Sequence, residues 1–185
     1  MLGRIIADSD LEVTLSHIDF ELAEEARTRG CPYCGGRLHS ARFPRRPRCN
    51  RALLPGWQRR FSFCCASEGC RRRTTPQSVR FLGRCVYPAV VVVLMSALCS
   101  GVTSSRLRWL REKLSIDRRT LERWRKWWRE TFPRTSFWKN AKARFLPPLD
   151  PDFLPRSLLL RFGTGSVEGI VALLRFIAPL SVRAP

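Results

Sequence analysis

Two short-spaced cysteine pairs constrain this chain more than any other feature: Cys31-Pro32-Tyr33-Cys34, followed by Gly35-Gly36, and Cys65-Ala66-Ser67-Glu68-Gly69-Cys70. A Cys-x-x-Cys turn directs two thiolates at one ion, and the glycines after it let backbone amides turn back toward the sulfurs without a Cβ clash. Two such turns close a tetrahedral Zn2+ site. In the second pair either Cys64 or Cys65 can partner Cys70. A strand starting at Phe61 would put Phe63 and Cys65 on one face, which favours Cys65. The expected ligands are therefore Cys31, Cys34, Cys65 and Cys70, with Cys64, Cys49 and His39 as competitors. A full four-thiolate set leaves zinc no open position for water, so the ion would be structural. Disulfides and buried apolar thiols are the alternatives. No positively charged, apolar-cored leader opens the chain, so the cytoplasm is the expected compartment, and disulfides are disfavoured there. Cys85 and Cys99 fall in an apolar run and read as core.

The chain of 185 residues carries a formal net charge of +19, far outside the ordinary balance of a soluble domain. The charge is unevenly placed. Residues 1 to 30 hold three arginines against seven carboxylates, whereas residues 31 to 130 hold 23 of the basic residues against five acidic ones. An excess this concentrated repels itself unless a polyanion neutralises it, and nucleic acid is the expected partner. A membrane is the other polyanion to weigh, because Cys85 to Ser100 is nearly free of polar groups. A spanning helix needs about 20 apolar residues. This run is shorter, and Pro88 near its start suits the first turn of a buried helix.

Punctuation divides the chain into an acidic N-terminal helix (1–30), a zinc module (31–76), a helix-turn-helix block (77–132) and a helical tail (133–185). Ser16 and Asp19 resemble a cap for a helix running to Gly30, which is expected to pack on the basic remainder. Residues 31 to 75 combine Arg, Gly, Pro and aromatics with no helical period, which predicts short strands and turns around a metal. From about Val79 to Glu130 the pattern is helical, and in the tail helices are expected over Phe137 to Phe145, Leu154 to Phe162 and Val167 to Ile177. The fold class is mostly α with a small β zinc ribbon.

Within the middle block, Leu107, Leu110 and Leu114 mark one helix face, and Asp117 is placed to cap a second helix, RRTLERWRKWWRE. On a helical wheel Leu121, Trp124, Trp127 and Trp128 fall on one side. Arg118, Arg119, Glu122, Arg123, Lys126 and Arg129 fall on the other. The tryptophans read as core, with base stacking on them as the alternative. In a helix-turn-helix the second helix enters the major groove, so Arg118 and Arg119 are candidates for base edges or phosphates, and Arg123 and Lys126 for the groove wall. Arg71, Arg72 and Arg73, directly after the second cysteine pair, are further candidates for nucleic-acid contact.

Residues 31 to 130, with CPYCGG, FCCASEGCRRRTTP and LSIDRRTLERWRKWW in that order, resemble the zinc-ribbon plus helix-turn-helix DNA-binding portion of bacterial insertion-sequence transposases and related short orphan proteins. The resemblance implies recognition of double-stranded DNA, with the four cysteines as ligands and Arg118 to Lys126 as recognition helix. It also implies a following nuclease domain with three carboxylates. Only Asp150, Asp152 and Glu168 follow Glu130, within residues 131 to 185, and the sheet of such a nuclease domain is not expected to fit there. No phosphate-cradling Gly-Lys-Ser/Thr loop or Gly-x-Ser-x-Gly turn occurs either. The expectation is a non-enzymatic, zinc-stabilised, nucleoid-associated DNA-binding protein of mobile-element type. A transcriptional regulator, a single-stranded RNA or DNA-binding module, and a partner of a separate transposase or recombinase subunit stay open. The apolar tail, ending LLRFIAPL, is expected to finish the core, with homodimerisation as the alternative.

Overall fold

The computed structural model describes residues 9–41, 43–44, 59–82, 88–98, 108, 111–112, 116–163 and 166–182. Among them helix predominates, with short antiparallel strands around the cysteines. Helix α1 spans Ser9–Arg29. It starts well before the cap expected at Ser16 and Asp19, because Leu11, Leu15 and Ile18 already sit at helical spacing and are all buried. Ser16 lies inside the helix, where its hydroxyl faces an Arg80 guanidinium nitrogen at 3.4 Å.

Five strands follow: β1 (Leu38–Ser40), β2 (Phe43–Pro44), β3 (Arg59–Arg60), β4 (Phe63–Cys65) and β5 (Arg73–Thr74). β4 is the centre of a three-stranded antiparallel sheet in the order β1-β4-β5, with Leu38 opposite Cys65 and Phe63 opposite Thr74. β2 and β3 pair separately. Alternation along β4 buries Phe63 and Cys65 and leaves Cys64 half-buried on the opposite face. Phe63 and Cys65 join Ala23, Cys31 and Leu38 in a small core, so α1 packs one face against the cysteine module. Leu11, Leu15 and Ile18 enter the large helical core.

The expectation of helix from Val79 onward is corrected. Val79 to Leu82 form bends and an isolated bridge, Phe81 to Pro88. Asp19 is what holds this stretch. One of its carboxylate oxygens accepts from Val79 N at 2.7 Å; the other accepts from Ser78 Oγ at 2.7 Å and Arg80 Nε at 2.8 Å. A buried backbone whose amides are satisfied by a buried carboxylate does not need a helix to pair them. The acidic helix does meet the basic remainder, through Asp19 and Arg80 inside and Glu21 and Arg175 at 3.4 Å on the surface.

Helix α2 (Ala89–Leu98) follows Pro88 directly, and its residues 89 to 97 are buried throughout. No described helix is long and apolar enough to cross a membrane. Arg108, Arg111 and Glu112 are helical and exposed, while Leu107, Leu110 and Leu114 lie outside the described residues, as do Cys49, Cys85 and Cys99.

Helix α3 spans Arg118–Lys126, and Asp117 caps it by accepting from Thr120 N at 2.6 Å. That amide, then the Thr120 hydroxyl, holds the Asp117 carboxyl below the usual range. The helix widens into a π turn over Trp127–Thr131, where the Phe132 amide reaches back to Trp127 O. Pro133, which has no amide to donate, then enforces a tight turn at Phe132–Arg134. Helices α4 (Ser136–Ala141), α5 (Arg156–Phe162) and α6 (Val167–Ile177) follow among the described residues. The core is aromatic along this path. Trp128 meets Phe132 at 4.8 Å, Phe132 meets Trp138 at 5.0 Å, and Phe145 meets Phe176 edge-on at 5.4 Å.

Candidate metal centre

The Cys31 to Gly36 turn closes with two backbone bonds, Gly35 N to Cys31 O at 2.8 Å and Cys31 N to Gly36 O at 2.9 Å. The second turn repeats the first of these bonds and closes with one of longer span. Arg71 N donates to Ser67 O at 3.0 Å, and Cys65 N donates to Arg72 O at 2.9 Å. Ser67 thus stands, relative to Cys70, where Cys31 stands relative to Cys34. The pair with four intervening residues thus shares the tight part of the turn, while its closing bond starts two residues earlier, at Cys65.

Together the two turns bring the sulfurs of Cys31, Cys34, Cys65 and Cys70 within 4.8 Å of one another. Cys34 and Cys65 are 3.4 Å apart, and Cys31 and Cys70 are 3.7 Å apart. Four thiolates on a tetrahedral Zn2+ with bonds of about 2.3 Å would stand about 3.8 Å from each other. The cluster can therefore hold a metal ion. Gly36 is closed in by it, since a Cβ there would lie 2.3 Å from Ser67 Oγ and 3.3 Å from the Cys34 and Cys65 sulfurs.

The electrostatics of the cluster also favour a cation. The Gly36 amide, then the Cys65 and Cys70 thiols, hold Cys34 below the ordinary thiol value. At Cys70 the Arg72 amide favours the thiolate, but desolvation and the neighbouring thiols of Cys34, Cys31 and Cys65 outweigh it and push the group up to about 11. One site holding unlike thiols in this way resists full ionisation unless positive charge enters it.

The two competitors among the described residues, Cys64 and His39, lie elsewhere. Cys64 turns its sulfur toward Arg71 O at 3.5 Å, and His39 sits opposite Cys64 in the sheet, exposed. Arg71, Arg72 and Arg73 are all exposed on the cysteine module, and the Arg72 guanidinium lies over the Tyr33 ring at 4.5 Å.

On α3 the two wheel faces separate. Leu121, Trp124 and Trp128 are 1%, 4% and 0% exposed. Trp127 is half-buried against Trp128. Arg118, Arg119, Arg123, Lys126 and Arg129 are exposed; Arg118 pairs with Glu122 at 2.8 Å and Lys126 with Glu130 at 3.7 Å. Two features escaped sequence reasoning: the Asp19 to Arg80 pair, and the convergence of Arg60 with the C-terminal turn, where its guanidinium donates to Ser181 O at 2.6 Å. No periodicity signals either, because each joins positions far apart in the chain.

No family model, curated protein or solved structure matches this chain.

Proposed function

We propose that this chain is a zinc-stabilised, sequence-specific DNA-binding protein of mobile-element, transposase-like type, without a catalytic domain. Zn2+ held by Cys31, Cys34, Cys65 and Cys70 fixes the small sheet against α1, and α3 presents Arg118, Arg119, Arg123 and Lys126 to duplex DNA. One observation carries the reading: on α3 the aromatic side is buried while the basic side is exposed. A helix that buries Trp124 in the core and holds four cations outward, Arg118, Arg119, Arg123 and Lys126, is suited to a polyanion. Among the described residues after Glu130 the carboxylates are Asp150, Asp152 and Glu168; Asp150 accepts from Asp152 N in a surface turn, and Glu168 lies in the first turn of α6. Among the described residues these three are not grouped closely enough to hold a metal ion.

Burial of Trp124 and Trp128 disfavours the rival in which tryptophans stack on single-stranded bases. A transcriptional regulator uses the same chemistry and differs in its target, and in the transposase-like reading a separate transposase or recombinase subunit would supply the catalysis.

The test separates the faces. Arg119→Ala with Arg123→Ala is expected to weaken duplex binding by about 1–3 kcal/mol per base contact, or less for phosphate contacts, with melting nearly unchanged. Trp124→Ala is expected to cost about 3–5 kcal/mol of stability. A destabilising arginine pair, together with a Trp124→Ala variant that folds and no longer binds, would reverse the assignment.

A further inference from the structure

An open groove of about 1010 Å³ runs beside the cysteine module, between α1, the Cys31–Cys34 turn, β5 with the residues after it, and the C-terminal turn. Its volume is at the top of the range for small-ligand pockets, and its open form suits a chain more than a compact molecule. Its walls include Arg29, Tyr33, Arg73, Thr74, Thr75 and Gln77. Arg29 and Arg73 are exposed, and Arg60 adds a third cation deeper in the wall. Glu25 is the one carboxylate in the lining, and it lies 3.5 Å from Arg29. Cations thus outnumber anions along the groove, interleaved with hydroxyl and amide side chains that hydrogen-bond phosphate and base edges equally well.

Tyr33 supplies what a purely electrostatic groove lacks. Its side chain is half exposed, at 50%, and the Arg72 guanidinium lies over one face of its ring at 4.5 Å. A half-exposed aromatic ring at the edge of a cationic groove is a stacking platform for an unpaired base. Bases inside a duplex are already stacked and cannot use it.

We propose that this groove binds a single-stranded DNA segment, with backbone phosphates along Arg29 and Arg73 and one unpaired base on Tyr33. The inference rests on the reading of α3 as a duplex-binding helix, and together they make the protein a reader of duplex DNA that carries a single-stranded tail.

The experiment uses the full zinc-loaded chain. Fluorescence anisotropy compares a blunt duplex with the same duplex carrying a six-nucleotide single-stranded tail, for the wild type, Tyr33→Ala, Tyr33→Phe and Arg29→Ala with Arg73→Ala. The tail is expected to raise wild-type affinity about tenfold, the scale of a single base–aromatic stack. Tyr33→Ala is expected to abolish that gain and leave blunt-duplex affinity unchanged, whereas Tyr33→Phe keeps it. Because Tyr33 adjoins Cys34, metal content is measured for each variant, and if Tyr33→Ala loses metal the arginine pair decides by the ratio of tailed to blunt-duplex affinity, which should fall to about one whatever the blunt affinity becomes. No tail gain in the wild type, a gain that survives both Tyr33→Ala and the arginine pair, or a preference for an RNA tail over a DNA tail would overturn the proposal. Failure of the duplex reading looks different: the blunt duplex would not bind, while an isolated single strand would still bind in a Tyr33-dependent way.

Discussion

Arg71 occupies, after Cys70, the place that Gly35 occupies after Cys34: both backbones are left-handed, with φ of 46° and 72°. The two cysteine turns are therefore pseudo-equivalent, and one is built without the glycine that normally relieves such a conformation. The chain tolerates arginine there because the surrounding bonds, Arg71 N to Ser67 O and Cys65 N to Arg72 O, fix the turn on both sides.

Substitution at the two positions should accordingly be asymmetric. Gly35→Val places a branched side chain in a left-handed turn and is expected to cost at least about 1–2 kcal/mol. For Arg71→Gly, relief of strain and added freedom of the unfolded chain oppose each other, so stability should stay within about 0.5 kcal/mol of wild type. Denaturant titration of both variants checks this; equal losses would refute the equivalence.

Metal affinity should rise with pH. Cys70, pushed up to about 11 in the metal-free cluster, carries a proton at neutral pH that an entering ion must displace. At least one proton is released per ion bound, so zinc affinity should climb at least about tenfold per pH unit between about pH 6 and 8. Competition against a chromogenic chelator at three pH values measures the slope. Cys70→Ser should lose the metal and Cys64→Ser should keep it; a flat profile, or metal loss from Cys64→Ser, would contradict the ligand assignment.

Asp19 and Arg80 form a pair whose side chains are 2% and 5% exposed. Removing the carboxylate would strand a buried cation and the donors of Ser78 and Val79, so Asp19→Ala is expected to destabilise by about 3–5 kcal/mol. Asp19→Leu with Arg80→Met should recover much of the loss, since an apolar pair can replace a buried ion pair. Chemical denaturation of the single and double variants tests this, and a double variant no better than Asp19→Ala would show that the amide contacts dominate.

How far the sequence could be read depended on distance along the chain. The Cys-x-x-Cys turn and the α3 wheel are local signals, and so is the alternation that separates Cys65 from Cys64. The start of α1 was masked by a cap-like Ser16 that is in fact spent on Arg80. The stretch from Val79 is apolar enough to read as helix, and only Asp19, some 60 residues earlier, makes the extended path affordable. The π turn at Trp127–Thr131 follows from Pro133 in hindsight, yet a wheel assumes a uniform twist and cannot show it. The groove joins residues near 25, 75 and 181, a convergence no local pattern encodes.

The most direct test is the salt dependence of duplex DNA binding by the zinc-loaded chain. Neutralising some five to eight phosphates at about 0.9 per contact predicts a log-log slope of roughly −4 to −7, and Arg119→Ala with Arg123→Ala should make it shallower by about 2 if both contact phosphate. A slope near zero, or one unchanged in the double variant, would contradict a basic α3 bound to DNA.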